Sequence, residues 1–144
     1  KSGPGRRRYS WIRCEDRTVH PMNTYNPDKA PDPARWLALD EQRRIQLAEK
    51  YHRAARTRPP NLKAHAIFHA IVENQIAENL DPVVRAVSRL TGEGLTRHEA
   101  IHAIASVLAA HLRDLSNATT DESDSAATYT DAIEKLSAGN WRGS

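Results

Sequence analysis

Two pairs of histidines carry the clearest chemical signal in this sequence. His98 and His102 belong to an H-E-x-x-H segment, and His65 and His69 repeat the same four-residue spacing earlier in the chain. Residues four apart lie on one face of an α-helix, so each pair can direct two imidazole nitrogens at a single point. The spacing therefore predicts a metal site on two helices.

The predicted ligand set combines both pairs with a carboxylate. Glu73 follows His69 by four residues and continues the same helix face. Two helices packed at ~8–10 Å can gather such side chains around one or two ions. Nitrogen and oxygen ligands together suit zinc, iron, manganese or nickel better than calcium, and we expect zinc or iron. The predicted ligands are His65, His69, Glu73, His98 and His102, with His52 nearby.

The same histidines have a second interpretation, which the sequence leaves open. A buried imidazole can be satisfied by backbone carbonyls or by carboxylates instead of a metal ion. In that case the histidines are structural, and the protein is an interaction module or a homo-oligomeric scaffold. Nothing in the pattern specifies a small-molecule substrate.

Glu99 is the candidate catalytic base of a third interpretation, metal-dependent hydrolysis, which ranks last. Thr96 and Glu99 form a T-x-x-E capping box, in which the glutamate bonds the Thr96 amide and is a poor base. The longer zinc-peptidase pattern is also incomplete, since Ala105 stands where it has Gly and Leu108 where it has its third His. We assign no catalytic residue, and whether the chain is an enzyme stays open.

Start and stop signals predict an all-α fold, a compact bundle of about five or six helices. Caps before a helical period occur at Asp32-Pro33, Asp40, Asn61, Asp81-Pro82 and Thr96, and no segment alternates apolar and polar residues as a strand would. The helical core domain is expected over residues 33 to 116. Its fifth helix is expected to bury Ile101, Ile104, Leu108 and Leu112.

The two ends of the chain are expected to lie outside this core. Residues 117 to 144 should form an acidic loop and a C-terminal helix or tail around Tyr129, Ile133 and Leu136. The polar stretch that predicts the loop runs from residue 116 to residue 125. Residues 1 to 32 contain four prolines and no sustained apolar period, which predicts an extended arm without core residues. The arm could embrace a second copy of the chain, which makes a homo-oligomer a candidate assembly.

The basic charge of the chain belongs mainly to that arm. The formal net charge is +3, but residues 1 to 21 hold six Lys and Arg against two Asp and Glu, so the rest is slightly acidic. This distribution disfavours a nucleic-acid platform, although Arg6 to Trp11 mix charge with aromatic rings. Met22 is the first methionine, and residues 1 to 21 are either part of the natural protein or an over-extended reading frame.

Other features indicate a cytoplasmic protein. Cys14 is the single cysteine, so no internal disulfide can form. The sequence has no signal-peptide pattern and no apolar run near twenty residues, which excludes a conventional membrane-spanning helix. A reducing cytoplasm is therefore the expected compartment.

Three segments resemble a bacterial family known only as a domain of unknown function. They are H-x-x-x-H with V-E-N-Q at residues 65 to 75, Pro82-Val83-Val84, and G-L-T-R-H-E-A-I-H-A-I at residues 94 to 104. A looser likeness reaches Trp36-Leu37 and Tyr51-His52, so that about residues 33 to 112 are covered. The resemblance implies a small helical protein and no assigned biochemical role.

Overall fold

The computed structural model describes residues 21 to 56, 59 to 117 and 122 to 143, and every regular element within them is helical. The basic segment, Cys14 and most of the arm lie outside these residues. Seven helices follow one another in the described part: α1 (Pro33–Ala38), α2 (Glu41–Ala54), α3 (Leu62–Ala77), α4 (Asp81–Gly92), α5 (Arg97–Asn117), α6 (Glu122–Lys135) and α7 (Ala138–Arg142). The all-α prediction is confirmed.

Side-chain caps begin several helices where the sequence indicated. The carboxylates of Asp32 and Asp40 and the amide oxygen of Asn61 each accept from a backbone N–H three residues on, at 2.9, 2.7 and 3.1 Å. These bonds satisfy N–H groups that have no partner within the helix. The prediction for α4 was wrong, because Asp81 is its first residue and the cap position is Leu80, which makes no side-chain bond.

Left-handed residues end α3 and α4. Asn79 has φ 58°, and Leu80 N–H then donates to the carbonyl of Gln75 at 2.9 Å. Gly94 has φ 102°, and Leu95 N–H donates to the carbonyl of Leu90 at 3.1 Å. Asn and Gly tolerate this conformation best, so each helix stops within a residue or two of its signal.

The bundle packs around two apolar clusters that share α3. Val72 of α3 lies in the larger cluster, with α4, α5, α6 and α7 contributing Val83, Leu90, Ile101, Ile104, Ile133 and Ala138. Ala66 and Ala70 of α3 lie in the smaller cluster, together with Tyr25, Trp36, Ile45, Leu47 and Ala48. α3 is therefore the central helix, since α1, α2, α4 and α5 all pack against it, while α6 packs on α4 and α5.

Residues 21 to 32 were expected to belong to an extended arm without core residues, but they pack on the bundle. The Tyr25 side chain is 6% exposed and Pro27 is fully buried. This packing could not be predicted from the sequence, because the segment has irregular backbone and its buried residues follow no apolar period. The Arg97 guanidinium donates to the Pro27 carbonyl at 2.9 Å, and His98 N–H donates to the Asp28 carboxylate at 3.2 Å, so the segment is held at the start of α5.

The C-terminal part is more helical than the sequence indicated. α5 continues through Asn117 and α6 begins at Glu122, so most of the expected loop at 116 to 125 is helix. Leu112 is 44% exposed, so its assignment to the buried side of α5 was wrong: at this level of α5 it is the neighbouring His111 that contacts α6, through Ser125 and Tyr129. The last stretch divides in two, since Ser137 caps a separate α7 through Asn140 N–H at 3.1 Å. None of the described helices has an apolar stretch long enough to cross a bilayer.

Candidate metal centre

Five histidines from three helices meet in one place. α2 supplies one imidazole, α3 two and α5 two, and one ring nitrogen from each lies within 4.8 Å of the others. The i, i+4 spacing places both members of each pair on one helix face, and the faces of α3 and α5 meet beside the His52 ring of α2. We call this group the histidine cluster: His52, His65, His69, His98 and His102.

Two nitrogen–nitrogen contacts join the three helices within the cluster. Nε2 of His65 lies 3.0 Å from Nε2 of His52, which links α3 to α2. Nε2 of His69 lies 2.9 Å from Nε2 of His102, which links α3 to α5. Nε2 of His98 is buried and has no hydrogen-bond partner. The cluster therefore contains an unsatisfied polar atom, which is uncommon in a closed core.

Bonds on the far side of two rings determine which nitrogen faces inward. The backbone carbonyl of Ala48 lies 2.7 Å from Nδ1 of His52 and can only accept, so Nδ1 carries the proton and Nε2 keeps its lone pair. The Tyr25 hydroxyl donates to Glu73 at 2.7 Å, so it accepts from Nδ1 of His69 at 3.2 Å. His52 and His69 thus direct lone pairs into the cluster, as metal-binding histidines do.

The chain of bonds behind His69 ends in a buried ion pair. The Glu73 side chain is 1% exposed, and its carboxylate accepts hydrogen bonds from both terminal nitrogens of the Arg97 guanidinium, at 2.7 and 2.8 Å. The Tyr25 phenol joins this pair to His69, and burial, followed by the nearby Glu73 charge, raises the Tyr25 pKa well above its ordinary value. Tyr25 therefore stays protonated and keeps donating to Glu73.

Burial favours the neutral form of the four cluster imidazoles on α3 and α5. Desolvation, with smaller effects from neighbouring histidines, lowers the pKa of His65 to about 4 and that of His102 to about 3. Desolvation likewise lowers the pKa of His69 and of His98. A neutral imidazole has the free lone pair that metal coordination requires.

The sequence-predicted residues divide between the cluster and its surroundings. The structure brings His65, His69, His98 and His102 together, and it adds His52 as a full member. Glu73 is not in the group: its oxygens are occupied by Arg97 and Tyr25, so it acts behind His69. The periodicity of α3 placed Glu73 on the correct face but carried no information about a cation arriving from α5.

Glu99 has the role that the capping box predicts. Its carboxylate accepts from Thr96 N–H at 2.8 Å, and its own N–H donates to the Thr96 hydroxyl at 3.1 Å. Both bonds satisfy the start of α5. Glu99 is absent from the group of candidate ligands among the described residues.

Sequence reasoning missed Tyr25 and Arg97, and it mentioned His52 only as a neighbour. His52 could have been found, because it lies on the inner stripe of α2 with Ile45 and Ala48. Tyr25 offered no signal, since it lies in irregular backbone far along the chain from His69. Arg97 precedes the H-E-x-x-H segment, where it looks like an ordinary polar residue.

Comparison with protein-family models, with curated proteins and with solved structures found no match for this chain. The interpretation of the site therefore rests on its own geometry.

Proposed function

We propose that this protein binds a divalent transition-metal ion in the histidine cluster. The observation that carries the proposal is the convergence of five imidazole nitrogens from α2, α3 and α5 within 4.8 Å of one another. Two nitrogens held at ~2.0–2.1 Å from one ion lie at most about 4.2 Å apart. Small side-chain adjustments would bring the cluster into that range.

The chemistry of the ligands favours a transition metal, and we expect zinc or iron. Imidazole is a good ligand for zinc, iron, copper and nickel, whereas calcium and magnesium require oxygen ligands. Glu73, the carboxylate nearest to His69 in the bond network, is already engaged by Arg97. An all-nitrogen set therefore supports a transition metal over a hard cation.

The arrangement behind the cluster also supports the proposal. His52 is held by a carbonyl and His69 by a tyrosine that a carboxylate orients in turn. Such outer bonds fix the ring and its tautomer in metal sites and raise the basicity of the ligand. The unpartnered Nε2 of His98 is a further atom that an ion would satisfy.

The competing hypothesis is a scaffold whose histidines are structural. The His52–His65 and His69–His102 contacts favour it, because each can be a hydrogen bond from one neutral ring to the other. This arrangement leaves His98 unsatisfied, so we rank it second. Assembly of two copies through the N-terminal arm remains part of this hypothesis. Hydrolysis with Glu99 as base ranks last, because its carboxylate caps α5.

Metal analysis of protein without a histidine tag separates the two leading hypotheses. We expect about one equivalent of zinc or iron after purification without chelators, and its loss in the His65→Ala, His102→Ala double variant. His111→Ala is the matched control, because His111 contacts Ser125 outside the cluster. Less than about a tenth of an equivalent, together with no uptake of added Zn²⁺ or Fe²⁺, would favour the scaffold.

A further inference from the structure

An open pocket adjoins the histidine cluster on one side. Its volume is about 350 Å³, and three cluster rings, those of His65, His69 and His102, form part of its wall. That volume is at the lower end of the range for small-molecule sites. A ligand of one or two rings could therefore lie beside the imidazoles.

The rest of the pocket wall is mainly apolar. Phe68, Ala105, Ala109 and Trp141 line it, and the Ser106 hydroxyl, which also lines it, donates to the carbonyl of His102 at 2.9 Å. The described lining residues include no Asp, Glu, Lys or Arg. A charged group placed in this part of the pocket would lose its hydration without gaining a partner.

At the cluster end of the pocket, by contrast, a negatively charged group is favoured, because the proposed metal ligands are uncharged. A divalent ion held by neutral imidazoles keeps its full positive charge. Glu73 is neutralised by Arg97, and Asp28 is exposed to water. Such an ion attracts one anionic donor strongly in a site of low dielectric constant.

The apolar wall and the positive charge of the ion together define a class of ligand. Resting on the proposed metal site, we propose that the pocket admits an organic monoanion: a single carboxylate that reaches the metal, carried on an apolar body of one or two rings that lies against Phe68 and Trp141. A second charge would fall on the apolar wall. A ligand without charge would leave the ion uncompensated.

The test uses Co²⁺-loaded protein, whose visible absorption reports the coordination of the metal. Four probes vary the apolar body and the charge of the ligand separately. They are benzoate, acetate, which lacks the ring, benzamide, which lacks the charge, and terephthalate, which has a second carboxylate. We expect benzoate to change the spectrum and to bind at least about tenfold more tightly than the other three. Equal binding of acetate would overturn the role of the pocket, and equal binding of benzamide would overturn the role of charge.

A pair of neighbouring substitutions locates the binding site. Ala109→Phe fills the pocket, and we expect it to weaken benzoate binding at least about tenfold with unchanged Co²⁺ stoichiometry. Ala110→Phe, on the exposed side of α5, is the matched control and should bind benzoate normally. Unchanged benzoate binding in Ala109→Phe would overturn the pocket assignment.

The proposed metal site and this inference fail in distinguishable ways. If the protein takes up neither Co²⁺ nor added Zn²⁺ or Fe²⁺, the metal proposal fails and the ligand proposal fails with it. If Co²⁺ binds at about one equivalent and benzoate leaves the spectrum unchanged, the metal site stands and the ligand proposal alone is refuted.

Discussion

The hydroxyl of Tyr25 lies 3.2 Å from Nδ1 of His69, and it joins the irregular segment before α1 to the centre of the histidine cluster. The same oxygen donates to Glu73 at 2.7 Å. A residue outside the helices thus orients a candidate ligand on α3, and its removal should affect the metal more than the fold.

Tyr25→Phe should lower metal affinity about 10- to 100-fold, because loss of an outer bond frees the His69 ring and its tautomer. Competition with a coloured chelator measures the affinity. Tyr129→Phe is the matched control, since Tyr129 donates to Gln75 outside the cluster. An affinity equal to that of the wild type would mean that the Tyr25 hydroxyl does not hold His69 for a metal.

Glu73→Leu should lower the free energy of unfolding by about 3–5 kcal/mol, because it leaves the Arg97 guanidinium buried without its carboxylate. Urea denaturation of metal-free protein measures this effect. The double variant Glu73→Leu, Arg97→Met should be clearly more stable than the single one, since it removes both charges. A single variant as stable as the double would show that the ion pair is not buried in solution.

The stability of the metal-free protein should fall in acid. In the folded chain burial holds the pKa of His65 near 4 and that of His102 near 3, below the 6.5 of a free imidazole. Between about pH 6.5 and 4 the unfolded chain therefore binds protons that the folded chain does not, so unfolding becomes easier as the pH falls. Above this range the contribution of these groups is constant.

Urea midpoints at several pH values between about 8 and 4 measure this dependence. The His65→Gln, His102→Gln double variant should show a shallower fall, and His111→Gln should fall as the wild type does. A wild-type midpoint that stays constant or rises on acidification would refute the burial of neutral rings.

Glu99→Gln should leave metal content unchanged and stability within about 0.5 kcal/mol, because glutamine also completes a capping box. Thr96→Ala should cost about 1 kcal/mol, again without metal loss, since it removes the side-chain acceptor at the start of α5. Metal analysis and urea denaturation of both variants check these effects. Loss of metal in Glu99→Gln would mean that the Glu99 carboxylate binds the metal instead of capping α5.

Local signals were sufficient to predict much of the fold. Caps such as Asp40 and Asn61 act within three residues, so their bonds can be inferred from neighbours alone. The expected loop at 116 to 125 was wrong in extent, because polar residues such as Ser116 and Asp124 suggest a turn yet are tolerated in an exposed helix.

The site was predictable where it depends on helix periodicity. His65 and His69 share a face by spacing alone, and so do His98 and His102. Spacing within one helix does not reveal which atom of another helix lies opposite. Spacing on α3 therefore predicts Glu73 as a ligand but does not reveal the Arg97 guanidinium that occupies its carboxylate, and no spacing predicts the contact of Tyr25 with His69.

The order in which the cluster's rings appear along the chain has a consequence for biosynthesis. His52, His65 and His69 leave the ribosome first, and the remaining two come only with α5. A nascent chain that ends before α5 carries only three of the five imidazoles. The cluster is complete only when α5 has been synthesised and has packed against α3, so any binding that needs all five rings comes late in the production of the chain.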